Sequence, residues 1–240
     1  MPMTNRVMKV LCRLLFTGCL VTTISCGLDD QKPGLDIFSN TFDFSKDQHG
    51  FQVGFSDYSA KPEDSIHYAL KYAYTLDPRG DKAILISGNN YSQDLFMFLK
   101  KKLTGLQPGT SYTITFNVEF ASNARIGSSI MGESVYMKVG ATAIEPKSTV
   151  NNDKYVMNID KGDQSQSGAD MIAIGNVAAP SDSDEYAKIQ RTNSSSIDQP
   201  LQVRTNEDGE LWLIVGTDSA FDGVTTLFSP SLRVVLSTSN

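Results

Sequence analysis

The chain has 240 residues, 40% of them hydrophobic and 20% charged, with 27 acidic against 21 basic side chains and a formal charge of −6. That length and apolar content suit one domain of the larger all-β kind, while the acidic balance argues against nucleic acid and against direct electrostatic binding to anionic lipid. Only three cysteines occur, all in the first 26 residues, so nothing downstream of Cys26 can form an internal disulfide.

The N-terminal segment comes first. Arg6, Lys9 and Arg13 form a positive region, and no charged residue follows from Leu14 to Leu28. A bilayer-spanning helix needs about 20 apolar residues. The run before Cys26 is shorter and broken by Thr, Gly and Ser, which fits a cleaved signal. Thr23-Ile24-Ser25-Cys26 resembles the lipobox of bacterial lipoproteins, with small Ser25 before the cysteine and Gly27 after it. Thr23 stands where that family usually has Leu. Cys19 is a rival lipidation site, but it leaves an apolar region of only about five residues. An ordinary cleaved signal peptide and a retained anchor are the competing readings.

The resemblance implies that residues 1–25 are removed and that Cys26 carries lipid (palmitate among the acyl groups). Residues 26–40 then form the lipidated N-terminus and a tether, with Gly27 to Gly34 polar and short. Loss of the three basic residues takes the formal charge from −6 to −9. The partner at this end is the membrane, reached through lipid, in a bacterial cell envelope. Gly27, in place of Asp beside the cysteine, favours the outer membrane of a Gram-negative cell.

Residues 41–240 read as short strands separated by turn signals. Extended segments are expected at 41–44, 52–58, 67–76, 83–87, 95–99, 112–120, 134–139, 155–159, 171–174, 201–205, 211–215 and 232–236. Alternation is clear where Tyr112, Ile114, Phe116, Val118 and Phe120 oppose Thr113, Thr115, Asn117 and Glu119. Leu95 to Leu99 is apolar on both faces. No capped helical period of ten residues or more is found. About a dozen such strands make a sandwich or a barrel.

Leu106-Gln107-Pro108-Gly109-Thr110-Ser111-Tyr112 favours the sandwich, because Pro108 fixes φ, Gly109 permits a positive φ and Tyr112 can fold back over the corner. The pattern resembles the corner of fibronectin type III domains and of jelly-roll carbohydrate-binding modules. Phe42-Asp43-Phe44 with His49-Gly50-Phe51 resembles the first hairpin of galactose-binding-like jelly rolls, and Leu232 to Leu236 resembles their closing strand. The resemblance implies a fold: all-β, a single antiparallel β-sandwich of jelly-roll type. It implies no activity.

Catalytic patterns are scarce. His49 and His67 are the only histidines, one expected in a turn and one at a strand start. No G-x-S-x-G elbow, H-E-x-x-H pair or phosphate-cradling glycine loop accompanies them. Glu119 and Glu133 are candidates for a paired-carboxylate glycosidase, although Glu119 lies on the polar side of an alternating strand. The expectation is a protein that is not an enzyme and carries no catalytic residue.

Three loops have the amide, carboxylate and aromatic content that recognises sugar hydroxyls and ring faces. Asn89, Asn90, Tyr91 and Asp94 stand in the first, and Asn158, Asp160, Asp163 and Gln164 in the second. The third runs from Gly216 to Gly223. Turn chemistry alone accounts for the same composition. Asp160, Asp163 and Asp170 are also candidate calcium ligands, though Gly162 breaks the EF-hand spacing. Resemblance to calcium-holding jelly rolls implies a structural calcium at most, and no other cofactor.

Tyr68, Leu70, Tyr72 and Tyr74 read as one side of a strand, either core or platform. Trp212 is expected in the core. Lys100-Lys101-Lys102 is expected at a solvated strand end. The stretch from Ala178 to Gln199 reads as a long surface excursion. The functional expectation is a lipid-anchored, extracytoplasmic binding protein without catalytic activity whose ligand is a glycan. The alternative is a structural or protein-interaction lipoprotein of the envelope, and a glycan hydrolase ranks below both.

Overall fold

A computed structural model describes residues 37–127, 132–180, 184–194 and 200–239. Cys26 and its signal lie outside them, as do parts of the 178–199 stretch. Among the described residues no helix is long and apolar enough to cross a membrane.

Two antiparallel sheets enclose the core, as the alternating segments require. The larger is built on β7 (Ser111–Ser122) and β15 (Val224–Thr238), which pair along most of their length. β12 (Ala187–Thr192) and β13 (Gln202–Arg204) lie on the far side of β7. β1 (Ile37–Asp43), β5 (Lys82–Asn89) and β4 (Lys71–Leu76) complete its seven strands. The other sheet has the order β11 (Met171–Asn176), β8 (Val135–Thr142), β14 (Leu211–Ser219), β6 (Leu95–Leu103), β2 (Gln52–Ser56). A third sheet is small: β3 (Tyr58–Ser59), β10 (Lys154–Met157) and β9 (Ser148–Asn151). The result is an all-β antiparallel sandwich of jelly-roll type with fifteen strands among the described residues.

Proline explains how one strand serves two partners. Pro230 has no N–H to give the ladder, and β15 shifts register between Phe228 and Ser231. Before the irregularity β15 pairs with β5; after it, with β1. The freed Pro230 carbonyl accepts the Phe44 N–H at 2.9 Å.

The core follows the alternation. Tyr112, Ile114, Phe116, Val118 and Phe120 are all at most 2% exposed, and they face Met97, Leu99, Met137, Val139, Leu213 and Val215 of the other sheet. The anticipated corner also forms: Gly109 has φ 57°, and the buried Tyr112 hydroxyl accepts the Gln107 N–H at 3.0 Å. Between the sheets lies a void of about 20 Å³ with mostly apolar walls, too confined for an organic ligand.

Several sequence expectations need correction. Residues 65–68 form a helical turn that ends at Ala69 in the left-handed region, so His67 does not start a strand and Tyr68 does not share a strand side with Tyr72. The lysine run is not a strand end. Lys100 to Lys102 lie inside β6, the neighbour of β14, because that strand continues to Leu103. Trp212 is half-buried on the outer side of the five-stranded sheet, with the Lys100 and Lys102 ammonium groups 5.3 and 5.8 Å from its ring centre. The excursion 178–199 contains strand β12, from which only the buried Ile189 and the partly buried Ala187 pack on the core, a weak apolar signal in the sequence. β9 and β10 turn over Asn152 and Asp153 at φ 50° and 59°, a hairpin signal in residues tolerant of that conformation.

Candidate functional site

The five-stranded sheet is apolar on both sides, so it needs a second cover. Phe96, Phe98, Ile214 and Met171 point away from the main core and are buried with Ile159 and Met157 of the 143–170 excursion. Glycines make room for the rings. A Cβ on Gly54 would lie 2.2 Å from the Phe98 ring, and one on Gly216 2.8 Å from that of Phe96.

Beside this small core lie four buried charges. The Lys138 ammonium, fully buried, reaches the Lys161 carbonyl at 2.8 Å, the Gln166 carbonyl at 2.9 Å and Asp218 Oδ2 at 3.1 Å. Lys161 Nζ meets Asp218 Oδ2 at 2.7 Å and Asp57 Oδ2 at 3.1 Å. The Gln164 N–H donates to the same Asp218 oxygen at 3.0 Å. Two cations and two anions balance, as burial demands. Burial pushes the Lys138 ammonium below its usual range, against the attraction of Asp218. Burial acts on Lys161 in the same direction, but Asp218 and Asp57 together outweigh it and raise its pKa. Burial raises the Asp57 carboxyl, with Lys161 opposing.

This network draws the sequence-predicted loops to one end of the sandwich. Gln164 Nε2 donates to the Gln93 carbonyl at 3.4 Å, and Lys154 pairs with Asp94 at 2.7 Å. Asn90, 1% exposed, donates to the Ser219 carbonyl and accepts the Asp94 and Leu95 N–H groups. Most of the predicted polar side chains thus bind the loops to each other. Asn89 donates to the His67 carbonyl at 2.6 Å. Asn158 accepts the Lys147 N–H and donates to the Glu145 carbonyl. Asp160 accepts the Gly162 and Ala169 N–H groups, which hold its carboxyl below the usual range, and Asp170 accepts the Asp160 N–H. Asp163 alone of this set is exposed with no side-chain partner among the described residues. No three His, Cys, Asp or Glu side chains gather to hold a metal ion among the described residues.

Tyr91 differs from its neighbours in the first loop. It is 55% exposed and lies parallel to the His67 ring, with centroids 4.6 Å apart. Tyr68 meets it edge-on at 6.0 Å, Tyr58 lies 5.2 Å from Tyr68, and Tyr155 stacks on Tyr58 at 4.6 Å. Five rings therefore run continuously from the β9–β10 hairpin to the first loop. Tyr68 is the buried member, its hydroxyl accepting the Ser59 N–H at 3.1 Å. Tyr58 and Tyr155 border an open cleft of about 610 Å³, with Lys61, Ser65, Ile66 and Leu70 around it. Burial, reinforced by Tyr155, raises the Tyr58 pKa, so its phenol remains a hydrogen-bond donor through neutral pH.

His67, Tyr155 and Ile66 were absent from the sequence-derived site. Tyr155 stands on a hairpin whose sequence signal is only Asn152-Asp153, and His67 lies on a helical turn rather than at a strand start. The other catalytic suspects are occupied: Glu119 pairs with Lys188 at 3.1 Å, and Glu133 accepts the Gly127 N–H at 3.3 Å. His49 Nε2 lies 2.9 Å from the Asp43 carbonyl, between Phe42 and Phe44.

No protein-family model and no curated protein matches the sequence. Solved structures of similar strand arrangement exist. One is described as a carbohydrate-binding module recognising mannan (TmCBM27), at 11% identity and a TM-score of 0.38, covering 86% of this chain and 99% of that one. A second is the CBM22-1 xylan-binding domain of Paenibacillus barcinonensis Xyn10C, at 10% identity and 0.38, covering 85% and 97%. The enzymatically active domain of bacteriophage CBA120 tailspike protein 4 is also similar, at 9% identity and 0.34. It covers 76% of this chain, which spans only 19% of that much longer one. These likenesses concern the course of the backbone and identify no shared site residue.

Proposed function

We propose that the protein is a non-catalytic carbohydrate-binding lipoprotein of the bacterial envelope. The sugar is received on the aromatic ledge formed by Tyr155, Tyr58 and Tyr91, and Cys26 supplies the lipid anchor. The ledge carries this reading. An aromatic face is complementary to the C–H side of a pyranose; here the half-exposed Tyr58 and Tyr155 rings stand beside polar groups over an open cleft, and the exposed Tyr91 ring continues the row by way of Tyr68. Tyr91 and Tyr155 would stack on the sugar, while the Tyr58 hydroxyl, Lys61 and Ser65 would meet its hydroxyls. The buried Lys138–Asp218–Lys161–Asp57 network supports the site by fixing the loop beneath it, so little ordering cost remains for binding.

The experiment is a glycan array on the protein, followed by calorimetric titration of the best glycan with wild type, Tyr91→Ala and Tyr155→Ala. Losing one stacking ring should weaken binding about fivefold, in line with about 1 kcal/mol for an aromatic contact. Flat binding across all polysaccharides would sink the carbohydrate reading and leave the protein-interaction one. The anchor is tested separately: Cys26→Ala should leave the membrane fraction while keeping its fold.

A further inference from the structure

The outer side of the seven-stranded sheet holds a second feature, on strands that do not pair with the ledge strands β3 and β10. Strand register aligns Thr192, Asn117, Arg233 and Thr41 in one row across β12, β7, β15 and β1. The row beside it includes Thr115 opposite Val235. Thr115, Asn117, Thr192, Ser194, Arg233 and Val235 line a shallow cavity of about 190 Å³. Arg233 and Asn117 are exposed, and neither side chain has a hydrogen-bond or ion-pair partner among the described residues.

Two carboxylates lie near Arg233 in register, both opposite Ser231. Glu119 is committed to Lys188, and Asp43 to Ser45 and Lys46. The cavity wall itself has no acidic residue. What remains is a guanidinium fork with five N–H donors, beside an amide and hydroxyls that can donate or accept. Val235 offers the only apolar surface. Thr192 donates to the Phe116 carbonyl at 2.7 Å and accepts the Ser194 N–H at 3.1 Å, so its hydroxyl is engaged within the wall.

Resting on the carbohydrate reading above, we propose that this cavity binds a monoanionic sugar unit through its oxyanion, a carboxylate or a sulfate ester, held by Arg233 and assisted by Asn117 and Thr115. The pairing is charge-assisted and bidentate, the geometry for which arginine is suited. A single charge fits better than a polyanion, because the site offers one cation on a chain of formal charge −6. The volume suits one ring rather than a chain.

The test is an NMR or calorimetric titration of the full chain with galacturonate, galactose 6-sulfate and neutral methyl galactoside. One or both anionic sugars should bind saturably, and the neutral sugar at least tenfold more weakly at this site; which anion binds identifies the oxyanion. Arg233→Met should lose at least tenfold in affinity, and Arg233→Lys less. Tyr91→Ala should leave anion binding unchanged, which separates this site from the ledge. Arg233 is exposed, so both variants should fold. Equal affinity for the neutral sugar, no binding of either anion, or unchanged binding in Arg233→Met would overturn the proposal.

Discussion

Phe96, Phe98 and Ile214, on the outer side of the five-stranded sheet, are at most 2% exposed beneath the 143–170 excursion, whereas Asn117 and Arg233, on the outer side of the seven-stranded sheet, meet solvent. Both sheets share one core, so the contrast comes from their other sides. Where a strand is apolar on both faces, the chain must supply a second cover. Here the cover arrives with charged residues that must be neutralised in place. Where alternation is strict, as at Thr113 to Asn117, the outer side needs no cover and presents polar groups, while Leu85, Ala121 and Phe228 of the same sheet are buried with Tyr186 packed against them. The aromatic ledge belongs to the covered side, since the hairpin carrying Tyr155 is part of the cover itself.

The comparison can be broken at several points. Asp218→Ala should have the largest effect, because it leaves Lys138 and Lys161 buried with too few anions. A loss of about 3 to 5 kcal/mol is expected in urea unfolding. A loss under 1 kcal/mol would mean that the network does not hold the cover. Gly54→Ala comes next, forcing a methyl against the Phe98 ring; about 1 to 3 kcal/mol should be lost.

Glu145 sharpens the contrast through pH. Hydrogen bonds from Lys100 and Lys147 hold its carboxyl at about 2, against 4.5 for the free group. A depressed acid contributes stability that is present above its unfolded pKa and lost as pH falls through its folded one. Stability should therefore decline between pH 4.5 and about 2, and Glu145→Gln should flatten that decline when unfolding is followed at successive pH values. The contribution is modest, since the pair is partly exposed. On the open side, Ser237→Ala should change stability by no more than about 0.5 kcal/mol. A large loss there would show that this side is also structurally committed.

Much of this architecture could be read from residue patterns. The alternation at Tyr112–Phe120 predicted which side is buried, and the two-faced run Leu95–Leu99 predicted double burial. The corner at Gln107–Tyr112 was visible in its Pro, Gly and Tyr. What escaped was long-range. Lys138 and Asp218 are ordinary polar letters within strands, and their pairing depends on a fold that brings residues 57, 138, 161 and 218 together. Trp212 between two leucines looked internal, yet period-two alternation with the buried Leu211 and Leu213 places it on the other side of the sheet. Two of the expected loops are partly strand: Asn89 ends β5, and Gly216 to Ser219 belong to β14, leaving 220–223 as the turn; most of the amides and carboxylates serve the loops' own backbone. The cleft is lined by the Tyr58 and Tyr155 rings and by Ser65 and Ile66 of the helical turn, and both the turn and the hairpin that carries Tyr155 have weak signals in the sequence.

The most direct test of the account is a crystal structure of the protein with the tightest neutral glycan from the array. A pyranose ring stacked on Tyr91 or Tyr155, with hydroxyls near Tyr58 and Lys61, is the predicted result. A sugar seated instead against Trp212, with the ledge empty, would contradict it.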